Sequence, residues 1–338
     1  MDEKRTTRKN QKKSFKKRIL YILLTGLLLA LGVSGYLFSQ VYNAANNSYE
    51  GLERTGDKSA LRKETVTIGD DPISILLLGV EDYSSGGKNG RADTQIVVTL
   101  NPDTEKMTMT TINRDTRVEL NKVGQYNGIH KINAAYTFGE ITEYGGNKLA
   151  VETVEALLGI PIDKYIAVNF EGFKDIVDVL GGVSLDIKEG FWEKNIYNNN
   201  ERIYFESGPT VLNGEEALAF VRMRKRDVNA IYPREERQRQ FIRATIDEAV
   251  SADTIFKVDD ISSVLGENIE TNLKPKEIYT LQKAYSSIRS DSIETLEIKG
   301  VATAENNWLF IPNENSLQQV TSRLQKELQI DATEKSSE

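Results

Sequence analysis

The sequence has 338 residues, of which 39% are hydrophobic and 28% charged, and its formal net charge is −7. It contains no cysteine and one histidine, which excludes disulfide frameworks, thiolate nucleophiles and zinc sites with two histidines. Any catalysis must therefore use carboxylates, guanidinium and ammonium groups, amides and hydroxyls, a set of groups that suits metal-assisted phosphoryl transfer.

The charge is distributed unevenly along the chain. Residues 1–18 contain nine Lys and Arg residues against two acidic residues, a local charge of +7, which leaves −14 for the other 320 residues. Residues 19–38 (ILYILLTGLLLALGVSGYLF) have no charged side chain and, as a helix, would span ~30 Å, the thickness of a bilayer core. The positive charge before this segment predicts a cytoplasmic basic tail and an uncleaved transmembrane anchor, in preference to a cleaved signal peptide. We therefore expect a single-pass cell-membrane protein with an extracytoplasmic body.

Three regions follow the predicted anchor. Residues 39–69 are polar and lack a sustained apolar stripe, which predicts an extracytoplasmic stalk. Residues 331–338 are polar and predict a disordered tail. Residues 70–330 contain no Pro-, Gly- or Ser-rich break and no repeat, which predicts one domain.

The first part of this domain alternates strand and helix patterns. Residues 73–80 (ISILLLGV) form a continuous apolar run, which is typical of a strand buried on both faces. Residues 94–100 and 106–112 are rich in β-branched residues and are separated by the turn sequence NPDTE, which predicts an antiparallel hairpin. Residues 147–158 have a helical apolar pattern that stops at Gly159.

The rest of the domain continues this alternation. Asn213 is predicted to cap a helix, because acidic residues occupy the first turn that follows it. The further predicted strands are 165–169, 183–187 and 293–299, and the further predicted helices are 171–180, 215–223, 234–250, one near 255–269 and 275–288. This order predicts an α/β (αβα) fold with a mixed central sheet flanked by helices on both faces.

Basic residues are concentrated in the otherwise acidic body. Eight of them, seven being arginine, lie within 22 residues: Arg222, Arg224, Lys225, Arg226, Arg234, Arg237, Arg239 and Arg243. The planar guanidinium group binds phosphate through paired hydrogen bonds, so this concentration indicates a phosphate site. Arg234 and Gln238 would share one face of a helix. The alternative is a solvated helix face with pairs such as Glu235–Arg239 and Glu236–Gln240. Nucleic acid is not an expected partner of an exported domain.

A second arginine cluster follows the predicted hairpin. Residues 113–117 (NRDTR) place Arg114 at a strand end, where α/β proteins bind ligands. The alternative is a structural ion pair with the neighbouring Asp115. Lys131 opens a predicted short helix and could reach a phosphate or be an ordinary surface lysine. His130 is the single histidine, and a lone histidine is more often a packing or capping residue than a general base.

Carboxylates lie in and after the glycine-rich loop that follows the first predicted strand. The loop 81–91 (EDYSSGGKNGR) leads directly to Asp93. Asp93, with Glu81 or Asp82 nearby, could hold a Mg²⁺ ion that bridges diphosphate oxygens. The alternative is that these acids only form turns.

These segments together resemble the LytR-CpsA-Psr family. The matching stretches lie in order between about 75 and 240 and read ILLLGVED, GRADTQIVVTLNPDTEKMTMTTINRDTRVEL, HKINAAYTFGE, GIPIDKYIAVNFEGFKDIVDVLGGV, LNGEEALAFVRMR and REERQRQ. The resemblance implies a twisted central sheet between helices and a hydrophobic pocket for a polyprenyl chain. It also implies a phosphotransferase: the 6-hydroxyl of peptidoglycan N-acetylmuramic acid attacks the phosphorus next to a glycopolymer such as wall teichoic acid, and undecaprenyl phosphate leaves.

The resemblance assigns roles to individual residues. Asp93 corresponds to the family's metal-linked aspartate, with Mg²⁺ as the implied ion and Asp82 as a second candidate ligand. The implied diphosphate-binding residues are Arg114, Lys131, Arg222, Arg224, Arg234 and Gln238. Glu81 stands where the family usually has Asp, so Glu81 and Asp82 are both candidates for the catalytic carboxylate beside Arg114.

Two other functions fit the same residues. One is a polyprenyl-diphosphate hydrolase that uses water in place of the sugar hydroxyl. The other is an anchored polymer-binding or regulatory protein without turnover. The expected partners are an undecaprenyl-diphosphate-linked glycopolymer, peptidoglycan and the membrane, and the polymer's identity is left open.

Overall fold

The computed structural model describes residues 48–83, 86–249, 268–285, 287–303 and 308–330. The predicted basic tail, the predicted anchor, the predicted C-terminal tail and most of the helix predicted near 255–269 lie outside these residues. In the described part of the chain, no helix is both long and apolar enough to cross a membrane.

The six strands predicted from the sequence are present, and the described residues contain eight further strands. In chain order the strands are β1 (Ile73–Glu81), β2 (Arg91–Asn101), β3 (Lys106–Ile112), β4 (Arg117–Leu120), β5 (Gly128–Lys131), β6 (Lys164–Asn169), β7 (Val183–Ile187), β8 (Phe191–Lys194), β9 (Arg202–Phe205), β10 (Gly208–Leu212), β11 (Ile269–Thr271), β12 (Ile293–Glu297), β13 (Gly300–Thr303) and β14 (Leu309–Pro312). The helices are α1 (Ala134–Ile141), α2 (Gly146–Leu158), α3 (Phe170–Val179), α4 (Gly214–Arg222), α5 (Arg234–Ala249), α6 (Pro275–Ala284) and α7 (Glu314–Glu327).

Six strands form a mixed sheet at the centre of the domain, in the order β11-β6-β1-β2-β3-β12. The predicted hairpin is confirmed, since β2 and β3 pair antiparallel from Gln95 opposite Ile112 to Asn101 opposite Lys106. Strand β1 pairs antiparallel with β2 and parallel with β6. The antiparallel start of β2 therefore lies beside the ends of β1 and β3, which gathers three chain segments at one edge of the sheet.

Helices cover both faces of this sheet, as predicted. On one face, Leu76 and Leu78 of β1 are buried in a cluster with residues of α1, α2 and α7. On the other face, Ile73 and Ile75 are buried with Ile96, and α5 and α6 pack against this cluster. The alternation of β1 side chains between two apolar clusters is what a strand buried on both faces requires.

A third apolar cluster joins α3, α4 and α5 to the paired strands β7 and β10 and to β9. The predicted cap of α4 is confirmed: Asn213 Oδ1 accepts from the N–H of Glu216, and the Glu216 carboxylate accepts from the N–H of Asn213. This capping box fixes where α4 begins, and so where its C-terminal residue, Arg222, lies relative to the sheet.

Part of the segment predicted as a stalk packs on the domain. Leu52 and Ile68 are buried in the two clusters that flank the sheet. Arg62 pairs with Asp163 at 2.7 Å, and both side chains are largely buried. Residues 48–69 thus contact the domain. The sequence did not predict this contact, because the apolar residues of this polar segment are isolated from one another.

Several elements were not predicted from the sequence. Lys131 ends β5 and does not open a helix, so the helix predicted there begins later, at Ala134. The two-stranded pairs β4–β5 and β8–β9 use strands of four residues, too short for a clear alternation. Helix α7 is mostly polar, and its buried stripe is narrow, comprising Val320 and Leu324 with Leu328 just beyond its end.

Candidate active site

A β-bulge places Asp93 at the edge of the sheet where β1 ends. Gly79 of β1 pairs with Thr94, but the next residue, Val80, pairs with Ala92, so Asp93 is an extra residue in β2. A bulge changes the direction of the extra side chain and is common beside functional sites. The strands are close here, since a Cβ at Gly79 would lie 3.0 Å from the Cβ of Thr94.

The Asp93 carboxylate contacts groups from three separate segments. Its Oδ2 accepts a hydrogen bond from Nη1 of Arg114, which follows β3. Its Oδ1 accepts from Nδ2 of Asn133 at 2.9 Å, just before α1. Nη1 of Arg234, the first residue of α5, lies 4.0 Å from Oδ2. The structure therefore brings Asp93, Arg114 and Arg234 together, although 141 positions separate the first from the last.

Arg114 also lies beside a second ion pair. Its Nε is 3.7 Å from Oδ1 of Asp115, which is beyond hydrogen-bond distance. Nζ of Lys131 contacts that same oxygen at 2.8 Å. Asp115 thus links Lys131 to the arginine that binds Asp93. The structural ion pair considered for Asp115 exists mainly with Lys131, and it leaves Arg114 free to contact Asp93.

Helix α5 carries two predicted site residues on one face. Arg234 and Gln238 are four positions apart and both are buried, with 7% and 6% of their surface exposed. Nε of Arg234 donates to the carbonyl of Val221 at 3.3 Å, and Nε2 of Gln238 donates to Oγ1 of Thr94 at 2.9 Å. Gln238 therefore attaches α5 to the residue next to Asp93.

Arg222 and Arg224 flank the end of α4. Arg222 is the last residue of the helix, where a positive charge is favoured by the helix dipole, and its guanidinium lies 4.6 Å from the ring centroid of Phe170. Arg224 is exposed, and no carboxylate of the described residues lies within 4.0 Å of its guanidinium.

Burial lowers the pKa of Arg114, Arg222 and Arg234, and the positive charge of Arg224 lowers each pKa further. A guanidinium group still keeps its proton at neutral pH. A lowered pKa of a cation means that the fold holds this charge at a cost in free energy. An anion bound among these residues would remove that cost, so the electrostatics of the site favour an anionic ligand.

The two candidate catalytic carboxylates differ in their surroundings. Burial raises the pKa of Asp82, and the negative charges of Glu81 and Glu171 raise it further. The charge of Glu81, the last residue of β1, acts on Arg222. A raised pKa makes the Asp82 carboxylate more basic than an ordinary aspartate, which suits a general base.

A magnesium site would depend on the ligand as well as on the protein. Among the residues that the structure describes, no three Asp, Glu or His side chains are arranged to hold a metal ion. Magnesium is commonly held by one or two carboxylates together with substrate phosphates. Asp93, at the centre of the cluster, is the carboxylate that could serve in this way.

Other residues in the arginine-rich segment stabilise the fold. Arg237 is fully buried and donates to the carbonyls of Phe220 and Tyr232 and to Oδ1 of Asn229. Arg243 donates to carbonyls beside and within β12. The predicted solvated helix face is present in part, but its ion pair joins Arg239 to Glu236 at 2.8 Å rather than to Glu235.

Asn133 was missed from the sequence. An amide within the stretch HKIN has no pattern that would single it out, and its role follows only from its contact with Asp93. His130 has the packing role favoured from the sequence: its Nε2 is 2.8 Å from the carbonyl of Tyr126, and its ring meets that of Phe138 at 4.7 Å.

Comparison with known proteins points to one family. The model of the LytR_cpsA_psr family matches residues 35–326. The polyisoprenyl-teichoic acid–peptidoglycan teichoic acid transferase TagV of Bacillus subtilis (strain 168) is 44% identical over 316 residues, which cover 92% of this chain and 78% of TagV.

Solved structures agree with this match. The crystal structure of B. subtilis TagV has a TM-score of 0.66 at 43% identity and covers 78% of this chain and 99% of that one. The LytR-CPS2A-psr family protein YwtF (TagT) with bound octaprenyl pyrophosphate lipid has a TM-score of 0.63 at 28% identity, with 81% and 98% covered.

Proposed function

The chain belongs to the LytR-CpsA-Psr family, and we propose that it transfers a teichoic acid or a similar anionic glycopolymer from an undecaprenyl-diphosphate carrier to peptidoglycan. The observation that supports this most strongly is the convergence of Arg114 and Arg234 on Asp93, with Arg222 and Arg224 contributing positive charge to the same place. The relatives' transferase names and a structural neighbour with a bound octaprenyl pyrophosphate agree with such a substrate.

The proposed reaction replaces the phosphoanhydride bond of the diphosphate with a phosphate ester bond to the sugar. The 6-hydroxyl oxygen of N-acetylmuramic acid attacks the phosphorus that bears the glycopolymer. The bond from that phosphorus to the bridging oxygen breaks, and undecaprenyl phosphate leaves with that oxygen. The hydroxyl proton passes to a carboxylate. Polymer and peptidoglycan are then joined by a phosphodiester.

The arginines act on the charge of the diphosphate. In phosphoryl transfer the protein contributes mainly by positioning and by electrostatic stabilisation of the transition state. Arg234 and Gln238 are held by buried contacts to neighbouring elements, so they present fixed donors to the substrate. Arg114 exchanges its contact with Asp93 for a contact with a phosphate oxygen, and Lys131, linked through Asp115, supports it.

Asp82 is the proposed general base. The same burial and neighbouring charges that raise its pKa make its carboxylate more ready to accept the proton of a sugar hydroxyl. Glu81 is assigned an electrostatic role instead, because its charge acts on Arg222.

Magnesium is the proposed cofactor, held by Asp93 with the substrate's phosphate oxygens and with Asp82 as a second candidate ligand. A bound Mg²⁺ ion would offset the negative charge of the diphosphate. Asp93 is suited to this role because it lies where Arg114 and Arg234 meet, which is where the diphosphate would bind.

The proposed location is the outer side of the cell membrane, with residues 19–38 as the anchor. A lipid substrate and an anchored enzyme share one plane, which raises their effective concentration relative to free diffusion.

The test is a transfer assay with the full chain in detergent. A lipid-diphosphate glycopolymer and peptidoglycan fragments should yield a phosphodiester-linked product in the presence of Mg²⁺. Asp93→Asn should lose the dependence on Mg²⁺ together with most of the activity. A full yield without any divalent cation would overturn the role given to magnesium, and binding of the lipid without any product would overturn the transferase.

A further inference from the structure

The hairpin β8–β9 presents an outer face that the reaction above does not use. Trp192 pairs with Tyr204 and Lys194 with Arg202, so these four side chains lie on one side of the hairpin. The other side carries Phe191 and Phe205, which pack in the apolar cluster beneath. The face formed by Trp192, Lys194, Arg202 and Tyr204 is named here the hairpin face.

Trp192 holds two guanidinium groups against its ring. The Cζ of Arg202 lies 4.1 Å from the ring centroid and the Cζ of Arg226 lies 3.4 Å from it. Arg226 is also fixed by its Nε, which donates to the carbonyl of Trp192 at 3.2 Å, and by a 3.5 Å ion pair with Glu193. Stacking of this kind restrains a guanidinium while its N–H groups stay available at the edge.

Arg226 connects the hairpin face to the diphosphate cluster. It is two residues beyond Arg224, and its ion-pair partner Glu193 is close enough to act on the pKa of Arg222. The ring of Trp192 also contacts the guanidinium of Arg202. The segment that carries Arg222 and Arg224 therefore also supplies Arg226, a guanidinium that stacks on the hairpin face.

Several cations of the hairpin face and of the segment just before Arg226 have no acidic partner. No carboxylate in the described parts of the chain lies within 4.0 Å of the charged groups of Lys194, Arg202, Arg224 or Lys225, and all four side chains are exposed. Tyr204, with 67% of its surface exposed, adds an aromatic ring beside them. Unpaired cations and an exposed aromatic ring together fit a ligand that repeats negative charges along a carbohydrate or polyol chain.

We propose that the hairpin face binds the phosphodiester repeats of the glycopolymer that extend from the diphosphate. The inference rests on the proposed function, since that function supplies a polymer attached at the arginine cluster. Each repeat carries a negative charge, and restrained guanidinium groups such as that of Arg202 suit phosphate oxygens. The enzyme would then select donors that carry a long anionic polymer over donors that end after the few sugars next to the diphosphate, which are called the linkage sugars below.

A binding experiment tests the surface without turnover. The probe is a glycerol phosphate oligomer that carries neither lipid nor diphosphate, and the protein is the full chain in detergent. The double variant Lys194→Glu/Arg202→Glu should bind the oligomer about tenfold more weakly or worse, because two cationic contacts become repulsive. The matched control, Lys106→Glu/Lys276→Glu, makes the same change in net charge at exposed sites elsewhere and should bind as the unaltered chain does.

A transfer experiment with two donors shows what the surface contributes. With a long-polymer donor the hairpin double variant should show a raised KM, and with a donor that ends after the linkage sugars its rate should be unchanged. An equal loss with both donors would overturn the inference in favour of a structural role for the hairpin. So would unchanged oligomer binding, or a selective loss of binding to peptidoglycan fragments.

The two proposals can fail separately. If the full chain transfers no polymer but the hairpin double variant still loses oligomer binding, the surface stands and the proposed reaction fails. Should the charge reversals prevent folding, Lys194→Gln/Arg202→Gln removes the same positive charges without adding negative ones, and a retained affinity for the oligomer would contradict the inference.

Discussion

Asp93 and Arg114 form an ion pair between β2 and the loop after β3, at the edge of the sheet where β1 ends. The pair fixes both side chains before any substrate binds, and Arg234 lies 4.0 Å from the same carboxylate oxygen. Binding of a diphosphate would require Arg114 to exchange a carboxylate oxygen for a phosphate oxygen. The ion pair therefore holds Arg114 at the site before the substrate binds. Its loss should affect catalysis more than folding.

Replacing Arg114 with alanine should lower the rate of polyprenyl phosphate release by a factor on the order of 10² or more, as for other donors that stabilise developing charge. Release of the lipid phosphate from a defined donor measures this. Arg117→Ala is the control, since Arg117 is an exposed arginine at the start of β4 in the same segment. A rate within a factor of about two of the unaltered protein would rule out Arg114 as a diphosphate ligand.

Replacing Arg234 with methionine should abolish turnover without loss of stability. Arg234 is buried among other cations and its pKa is lowered, so its charge is held at a cost to folding. Removing that charge should leave the free energy of unfolding unchanged or raise it by about 1 kcal/mol. Thermal unfolding measures this, and inorganic diphosphate should raise the Tm of the unaltered chain more than that of the variant. A variant that is several degrees less stable would instead mark Arg234 as a structural residue.

The pH dependence of the rate should report Asp82. Because its pKa is raised, the carboxylate loses its charge as the pH falls through a value above 3.8, and the rate should fall with it. In Asp82→Asn the rate should be lower by roughly 10²–10⁴ and this acid limb should disappear. Glu81→Gln serves as the comparison and should keep the acid limb. The assignment fails if Glu81→Gln, and not Asp82→Asn, removes it.

Asp82→Asn should also change the thermal stability of the protein, by an amount that depends on pH. A carboxyl group whose pKa is raised by folding lowers stability when it is ionised, so this cost appears as the pH rises through the raised pKa. Asp82→Asn should therefore have the higher Tm at neutral pH, and the difference should vanish in acid. A difference that grew as the pH fell would contradict the raised pKa.

Arg237 should contribute to stability and not directly to chemistry. Its guanidinium is fully buried and donates to backbone carbonyls around the end of α4 and to Asn229. Arg237→Met would leave these acceptors without donors and should cost about 3–5 kcal/mol of unfolding free energy. Chemical denaturation measures the loss. Arg239→Ala, which removes a half-buried pair with Glu236, should cost only about 0.2–1 kcal/mol.

Residue chemistry made much of the site predictable from the sequence. Guanidinium groups concentrated in an acidic chain that is predicted to be exported indicated a phosphate site, and Arg114 and Arg234 do meet at Asp93. Three continuous apolar or β-rich runs also predicted β1, β2 and β3, because a strand buried on both faces leaves a strong pattern.

The rest depended on contacts that no local pattern encodes. The bulge at Asp93 is a one-residue change of register between two strands, which composition does not show. Arg237 and Arg234 are three positions apart on one helix, yet one binds backbone carbonyls and the other faces Asp93. Lys131 ends a strand that is too short to be recognised, and it was assigned to a helix for that reason.

The most direct test of the central claim compares two products in one reaction. The full chain in detergent is given a labelled lipid-diphosphate glycopolymer with Mg²⁺, with and without peptidoglycan fragments, and both lipid phosphate and phosphodiester-linked product are counted. We expect equal amounts of the two products when the acceptor is present, little release of lipid phosphate without it, and loss of both in Arg114→Ala. Release of lipid phosphate at the same rate with and without acceptor, and with no linked product, would show that the protein is a hydrolase and not a transferase.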